Sequence, residues 1–158
     1  MVIWITGITA SGKTFLGKSL MNGLINNSYN NVIHLDGDEL RKRSGWIRGH
    51  SLQDRFKIID LLIDLVIEEQ NQGKIVIVST VSHKKEMRTL AREKISEFHE
   101  IYLNCSADKC AERDYKGFYA RAKDMTNTGE IFPGVTEEYQ PSESPELTLN
   151  TGDERLEE

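Results

Sequence analysis

The chain reads as an α/β protein, a three-layer sandwich in which a parallel sheet of about five strands lies between helices, joined by right-handed crossovers. Three observations carry this. Short β-branched runs alternate with segments of helical apolar spacing along the 158 residues. The run 74–80, KIVIVST, is apolar without alternation, the pattern of a strand covered on both faces. A glycine-punctuated turn, 7–14, stands between an opening β run and the first helical pattern.

The elements follow in order. After the strand ending at Thr6, residues 15–24 place Phe15, Leu16, Leu20, Met21 and Leu24 on one helical spacing, and the Asn-rich 26–31 ends it. The run 32–35 is a short strand that stops at Asp36-Gly37-Asp38. A basic segment, 39–43, follows, and Ser51-Leu52-Gln53-Asp54 is a capping pattern that opens a helix over 56–69. Gly73 closes that helix before the 74–80 strand. Residues 84–96 form a charged helix, 99–104 a strand, 107–113 a short helix and 146–150 the last strand. Residues 124–144 lack a core pattern and hold two of the three prolines, so they are a surface loop or a lid. There is no internal repeat or linker, and the expectation is one domain over 1–158.

Composition narrows the function. Hydrophobic residues make up 38% and charged residues 28%, a globular balance. The net charge of −5 and pI near 5.5 argue against a general nucleic-acid binder, because phosphate backbones select basic faces. No apolar run approaches the ~20 residues of a membrane span. Cys105 and Cys110 are not spaced as C-x-x-C and read as core thiols, and with no signal peptide ahead of the first strand the expected compartment is the cytoplasm. His34, His50, His83 and His99 show no metal-ligand spacing, although His50 and His83 fall in loops at the active edge.

The chemistry is concentrated in Gly7-Ile8-Thr9-Ala10-Ser11-Gly12-Lys13-Thr14, which fits G-x-x-x-x-G-K-[ST] and places the fold among P-loop NTPases. A polyphosphate needs several inward backbone N–H donors, which such a turn presents together with a helix N-terminus. Gly7, Thr9, Ala10, Ser11 and Gly12 are the expected phosphate cradle for ATP. Lys13 is expected to reach the β- and γ-phosphates, and the Thr14 hydroxyl to bind Mg²⁺. The motif alone leaves kinases, GTPases and motor ATPases open. The guanine-reading N-K-x-D signature of GTPases is absent from the sequence, and a motor ATPase would be larger, so a small-molecule kinase leads.

A kinase needs an acceptor site, and Asp36-Gly37-Asp38 is its best candidate. Ligands of open parallel sheets sit beyond the strand carboxyl ends, beside both carboxylates. Asp36 is assigned to the metal and Asp38 to the acceptor hydroxyl proton, because metal binding and base work compete for the same lone pairs. Arg41 and Arg55 are placed to hold an anionic acceptor group, whereas Arg43 and Arg48 read as solvated. Arg113, next to Asp114, either contacts the donor base or forms a surface ion pair.

Taken with the phosphate loop, Leu35-Asp36-Gly37-Asp38-Glu39-Leu40-Arg41, Asp54-Arg55, Ile77-Val78-Ser79-Thr80-Val81-Ser82 and Arg113-Asp114-Tyr115-Lys116-Gly117-Phe118-Tyr119 resemble the adenylyl-sulfate kinases over nearly the whole chain. The resemblance implies transfer of the ATP γ-phosphate to the ribose 3′-hydroxyl of adenylyl sulfate with Mg²⁺, in a homodimer. It implies substrate contacts at Asp38, Arg41 and Arg55, and it maps a proposed phosphoserine position onto Ser82, although direct in-line transfer needs no phosphoenzyme.

The departures lie on the acceptor side. Gly49-His50-Ser51 stands where the family has Gly-Phe-Ser, its Phe stacking on the substrate adenine. Ile58 replaces an Asn, Glu39 another Asn, and Ser82-His83-Lys84-Lys85 replaces Ser-Pro-Tyr-Arg. The segment 129–135 matches the family's lid only with two residues deleted, which leaves Phe132 as the second stacking position. The small-molecule acceptor is therefore expected to be a 5′-modified nucleotide, adenylyl sulfate or another such as cytidine diphosphoramidate. Loss of an aromatic platform alone weakens a base site by ~1–3 kcal/mol. A non-catalytic nucleotide-binding regulatory protein is the alternative, against which the intact Asp36, Asp38, Arg41 and Arg55 count.

Overall fold

The computed structural model describes residues 1–42, 49–114, 117–124 and 130–152. Expectations for Arg43, Arg48 and Gly129 lie outside these residues. Five parallel strands, β1 (Val2–Thr6), β2 (Val32–Asp36), β3 (Ile75–Ser79), β4 (Phe98–Asn104) and β5 (Leu147–Asn150), form one sheet in the order β2-β3-β1-β4-β5. The order reverses at β1, so the loop leaving β1 stands at the switch point where open α/β sheets bind ligands.

Strand residues sort by parity onto two cores. Val2, Trp4, Val76 and Val78 face α3 (Leu52–Asn71) and α4 (Lys85–Lys94), packing with Leu62, Ile63, Val66, Met87 and Ala91. Ile3, Ile5, Ile77 and Leu103 pack on the other face against Leu16, Leu20 and Leu24 of α1 (Lys13–Asn26). These are the three layers the sequence predicts. Beyond the strand carboxyl ends a third cluster joins Ile8, Cys110, Tyr119 and Tyr139 under the active edge. Cys110 is fully buried there, as expected of a core thiol, and burial pushes its thiol up to about 12.

Most elements lie within a few residues of expectation, with three instructive differences. Asp36-Gly37-Asp38 is not a turn: β2 ends at Asp36 and α2 (Gly37–Lys42) begins at once, because Asp36 Oδ1 accepts from the backbone N–H of Asp38 (2.9 Å) and Glu39 (3.2 Å). The third helix starts at Leu52, four residues before its apolar pattern, since Ser51 and Asp54 form a complete capping box. A helix the sequence reading lacks, α6 (Phe118–Asp124), follows α5 (Ala107–Glu112), and the Asp114 carboxylate accepts from Tyr119 N–H at 2.7 Å in its first turn.

Candidate active site

The phosphate loop is built as the motif requires. Gly7 passes so close to β4 that a Cβ there would lie 2.8 Å from the Leu103 carbonyl oxygen, which excludes any larger residue. Ser11 N–H closes the turn on Ile8 O at 3.2 Å, and Leu16 N–H on Gly12 O at 3.0 Å starts α1. Ala10 is held at φ 64, and the Thr9 carbonyl accepts from the Tyr119 hydroxyl at 2.8 Å. Tyr119 therefore braces the cradle from α6, a contact 110 residues away in sequence.

Two features of the loop are those of a site that holds an anion. Lys13 is buried with its Nζ donating to Ile8 O at 2.6 Å, and burial brings its ammonium down to about 8 against the pull of Asp38 and Asp36. The Ser11 hydroxyl is buried without a hydrogen-bond partner among the described residues. A buried ammonium with one neutral acceptor and an orphaned hydroxyl are both satisfied by phosphate oxygens. The cleft above them, about 200 Å³, is lined by Lys13, Thr14, Phe15, Asp38, Arg113 and Phe118, among others. Arg113 forms no ion pair with Asp114; it donates to the carbonyls of Thr151 and Gly152 while lining this donor cleft.

The residues assigned to Mg²⁺ meet. Thr14 Oγ1 donates to Asp36 Oδ2 at 2.5 Å, bringing a hydroxyl and a carboxylate oxygen together at the mouth of the loop. Among the described residues there is no cluster of three or more His, Cys, Asp or Glu able to hold a metal. A hard-oxygen pair completed by water and phosphate oxygens suits Mg²⁺, which keeps much of its hydration and takes few protein ligands.

A second cleft of about 120 Å³ adjoins the first and is lined by Asp38, Arg41, His50, Arg55, Ile58 and Phe132. Arg41 extends from α2 to donate from Nη1 to His50 Nδ1 (3.0 Å) and from Nη2 to Gly49 O (2.9 Å). A Cβ at Gly49 would fall 2.1 Å from Asp54 Oδ2, so a larger residue there would displace the Asp54 side chain from its capping box. Arg55 Nη2 donates to Ile131 O, while Ile131 N–H donates to His50 O at 3.0 Å, so the segment 130–135 is stitched over the cleft. Arg55 Nε is buried with no partner among the described residues, and burial with Arg41 nearby lowers its guanidinium to about 10. A buried unpaired donor on a cation is satisfied by an anionic oxygen.

Ser82 lines this cleft with its hydroxyl engaged by the protein. Its hydroxyl is held inward by Trp4 Nε1 (3.2 Å) and Thr6 Oγ1 (2.9 Å), and the residue is 4% exposed. Beside it, His83 Nε2–H donates to the Glu137 carboxylate across 3.1 Å, joining the β3 loop to the segment over the cleft.

Sequence reasoning missed Phe118, which lines both clefts and packs 6.4 Å from Phe132 between ring centroids. It also missed Arg88, whose guanidinium ties Ser82 O (2.6 Å) to Gln140 O (2.6 Å). The Gly117-Phe118-Tyr119 string was the available signal for the first; nothing local marks the second.

Comparisons with known proteins bear on the family and the fold. Residues 1–150 match the family model described as adenylylsulphate kinase. An adenylyl-sulfate kinase of Bacillus licheniformis is 37% identical over 161 residues, covering 99% of this chain and 79% of that protein. A cytidine diphosphoramidate kinase of Campylobacter jejuni is 35% identical over 162 residues, covering 99% and 90%. The Mycobacterium tuberculosis APS kinase, solved with AMPPNP and APS, superposes with a TM-score of 0.84 at 30% identity, covering 94% of this chain and 87% of that one.

Proposed function

The chain belongs to the adenylylsulphate kinase family, and on that premise we propose that it transfers the γ-phosphate of ATP to the ribose 3′-hydroxyl of a 5′-modified nucleotide. The observation that carries this reading is that Asp38 lines both clefts, the donor cleft over Lys13 and the acceptor cleft under Arg41 and Arg55. A single carboxylate between a triphosphate and an acceptor is the group that can take the hydroxyl proton as the oxygen attacks γ-phosphorus and the bond to the β-phosphate oxygen breaks.

Each neighbour has a part. Lys13 and the Ser11 hydroxyl hold the phosphates, and Lys13 offsets the charge that moves onto the leaving ADP. Thr14 and Asp36 are the residues that would hold Mg²⁺, which when bound neutralises charge between the β- and γ-phosphates. Arg55 turns its unpaired Nε to the acceptor's anionic 5′ group, and Arg41 fixes His50 at the cleft wall. Phe132 and Phe118 offer aromatic faces to the bases. The inward Ser82 hydroxyl supports direct transfer without a phosphoserine.

Two acceptor classes stand in this reading, adenylyl sulfate and a cytidine conjugate. The first is favoured by likeness to the adenylyl-sulfate kinases, the second by His50, which replaces the expected adenine-stacking Phe, and a cytidine diphosphoramidate kinase is also among the relatives. A homodimer acting in the cytoplasm completes the proposal; no helix among the described residues is long and apolar enough to cross a membrane.

The test is Asp38→Asn. Phosphate transfer is expected to fall at least about 100-fold, the scale of lost general-base catalysis, with ATP binding retained. Near-normal turnover removes Asp38 from the role.

A further inference from the structure

Arg88 of α4 is buried, and its guanidinium joins three parts of the chain. Nη1 donates to Ser82 O and Nη2 to Gln140 O, each at 2.6 Å, while Nε lies 3.4 Å from Glu100 Oε1. Ser82 and His83 line the acceptor cleft, and Gln140 N–H donates to His83 O at 2.9 Å. Arg88 thus bridges the cleft wall and the far end of the segment that covers it. The wall bends at Ser82, whose φ of 35 is left-handed and unfavourable for a residue with a Cβ. Such a bend persists only where its surroundings hold it. Here Trp4 and Thr6 fix the hydroxyl and Arg88 fixes the carbonyl. Glu100, the partner of Arg88, pairs in register with Trp4 in the sheet and is equally buried. The Ser142 hydroxyl donates to its Oε1, so the covering segment is held a second time through the same ion pair.

A buried ion pair is a poor source of stability, because desolvation offsets the attraction and apolar residues of similar volume cover a sheet as well. What apolar side chains cannot supply is two directed bonds to the carbonyls of separate segments. We propose that Arg88, braced by Glu100, is a positioning residue for the acceptor: it sets the spacing between the wall at Ser82 and His83 and the segment above, and so the width of the cleft in which the acceptor binds. The covering segment runs back from Gln140 through Glu137, paired with His83 and Lys84, to Pro133 and Phe132 in the cleft lining. A shift at Gln140 therefore reaches the acceptor. The donor cleft is lined by neither wall residue and by none of the residues 130–142, so its ligand is not affected.

This inference rests on the kinase reading above, and its test separates the two. Arg88→Lys keeps a cation opposite Glu100 but cannot hold two carbonyls in a fixed fork. The paired variant Arg88→Met with Glu100→Leu removes both charges at similar volume, and Ser142→Ala withdraws only the hydroxyl on Glu100. With the full chain, transfer from γ-labelled ATP to adenylyl sulfate and to cytidine 5′-diphosphoramidate is measured beside melting temperature and calorimetric binding of each acceptor and of a non-hydrolysable ATP analogue. Acceptor KM and Kd are expected to rise at least about tenfold in Arg88→Lys and the paired variant and about threefold in Ser142→Ala, with kcat at saturating acceptor within about threefold of native. ATP-analogue affinity stays at its native value, and the paired variant melts near the native temperature. A native acceptor KM in the folded paired variant, or acceptor and ATP-analogue affinities falling together, overturns the positioning role while the kinase reading stands. If the two core variants fail to fold, Ser142→Ala decides, and an unchanged acceptor KM there overturns it. Acceptor binding that weakens in the variants of a chain transferring phosphate to neither compound supports the positioning role and removes the kinase reading. A native chain that binds neither compound overturns both.

Discussion

Lys13 shows how one residue can be both costly to the fold and, in the proposed reaction, the anchor of the phosphates. A buried ammonium whose pKa has fallen from 10.5 to about 8 destabilises the folded chain below pH 8. The unfolded chain binds the extra proton between pH 8 and 10.5, so this penalty is relieved as pH rises through that window. Lys13→Met keeps the volume and removes the charge. It should melt at or above the native temperature at pH 7, while ATP affinity falls about 10- to 150-fold, from the 1.5–3 kcal/mol of a charge-assisted contact. Thermal melting and titration of a fluorescent ATP analogue check the two arms; a destabilised variant that still binds ATP would contradict this account. Lys13 and Thr14 were legible because the motif encodes a local geometry, strand to turn to helix, that eight consecutive residues determine. Arg55 was legible as a type, but not its unpaired Nε, since that depends on Ile131 arriving from 76 residues away.

Among the elements, the segment over the acceptor cleft is the one whose sequence said least, and its anchors explain why. It is held by Arg55 to Ile131 O, by Arg88 to Gln140 O, and by the His83–Glu137–Lys84 group, each reaching across from another part of the chain. The α6 helix is similar: seven residues, FYARAKD, too short for a periodic signal and fixed by the Asp114 cap and Tyr119 packing. The latch has a pH signature. Burial lowers His83 to about 4 despite Glu137, with Arg55 and Lys84 also disfavouring its charged form. The folded pKa lies below the unfolded value of 6.5, so the unfolded chain protonates first and stability is lost as pH falls from 6.5 toward 4. That loss amounts to up to about 3 kcal/mol at ~1.4 kcal/mol per pKa unit. Melting curves over this range should show a steeper decline in the native chain than in His83→Gln, and parallel curves would show that His83 does not titrate with folding.

For the whole molecule, the parallel sheet with its reversal at β1 was legible because each strand's run and each helix's spacing point to the same layers. How the two substrate clefts communicate was not, because their shared wall is assembled from distant segments: Thr9 of the phosphate loop, Asp38 of α2 and Phe118 of α6. Phe118 is the informative one. It is held by Phe132 on one side and by Arg121, 4.9 Å from its ring centroid, on the other, and it bears no reacting group. Truncating it to Ala removes a wall common to donor and acceptor, so affinity for both should fall, by about 5- to 30-fold each if 1–2 kcal/mol of contact is lost at every site. His50→Phe, by contrast, should leave ATP affinity unchanged. Ligand-induced stabilisation reports both at once: a ligand at 100 times its Kd adds ≈ 2.7 kcal/mol. In a chain of this size that raises the melting temperature by about 5–10 °C. Both the ATP-analogue shift and the acceptor shift should shrink in Phe118→Ala at fixed ligand concentration. An acceptor shift that shrinks while the ATP-analogue shift stays at its native size would assign Phe118 to one cleft and leave Asp38 and Thr9 as the coupling between them.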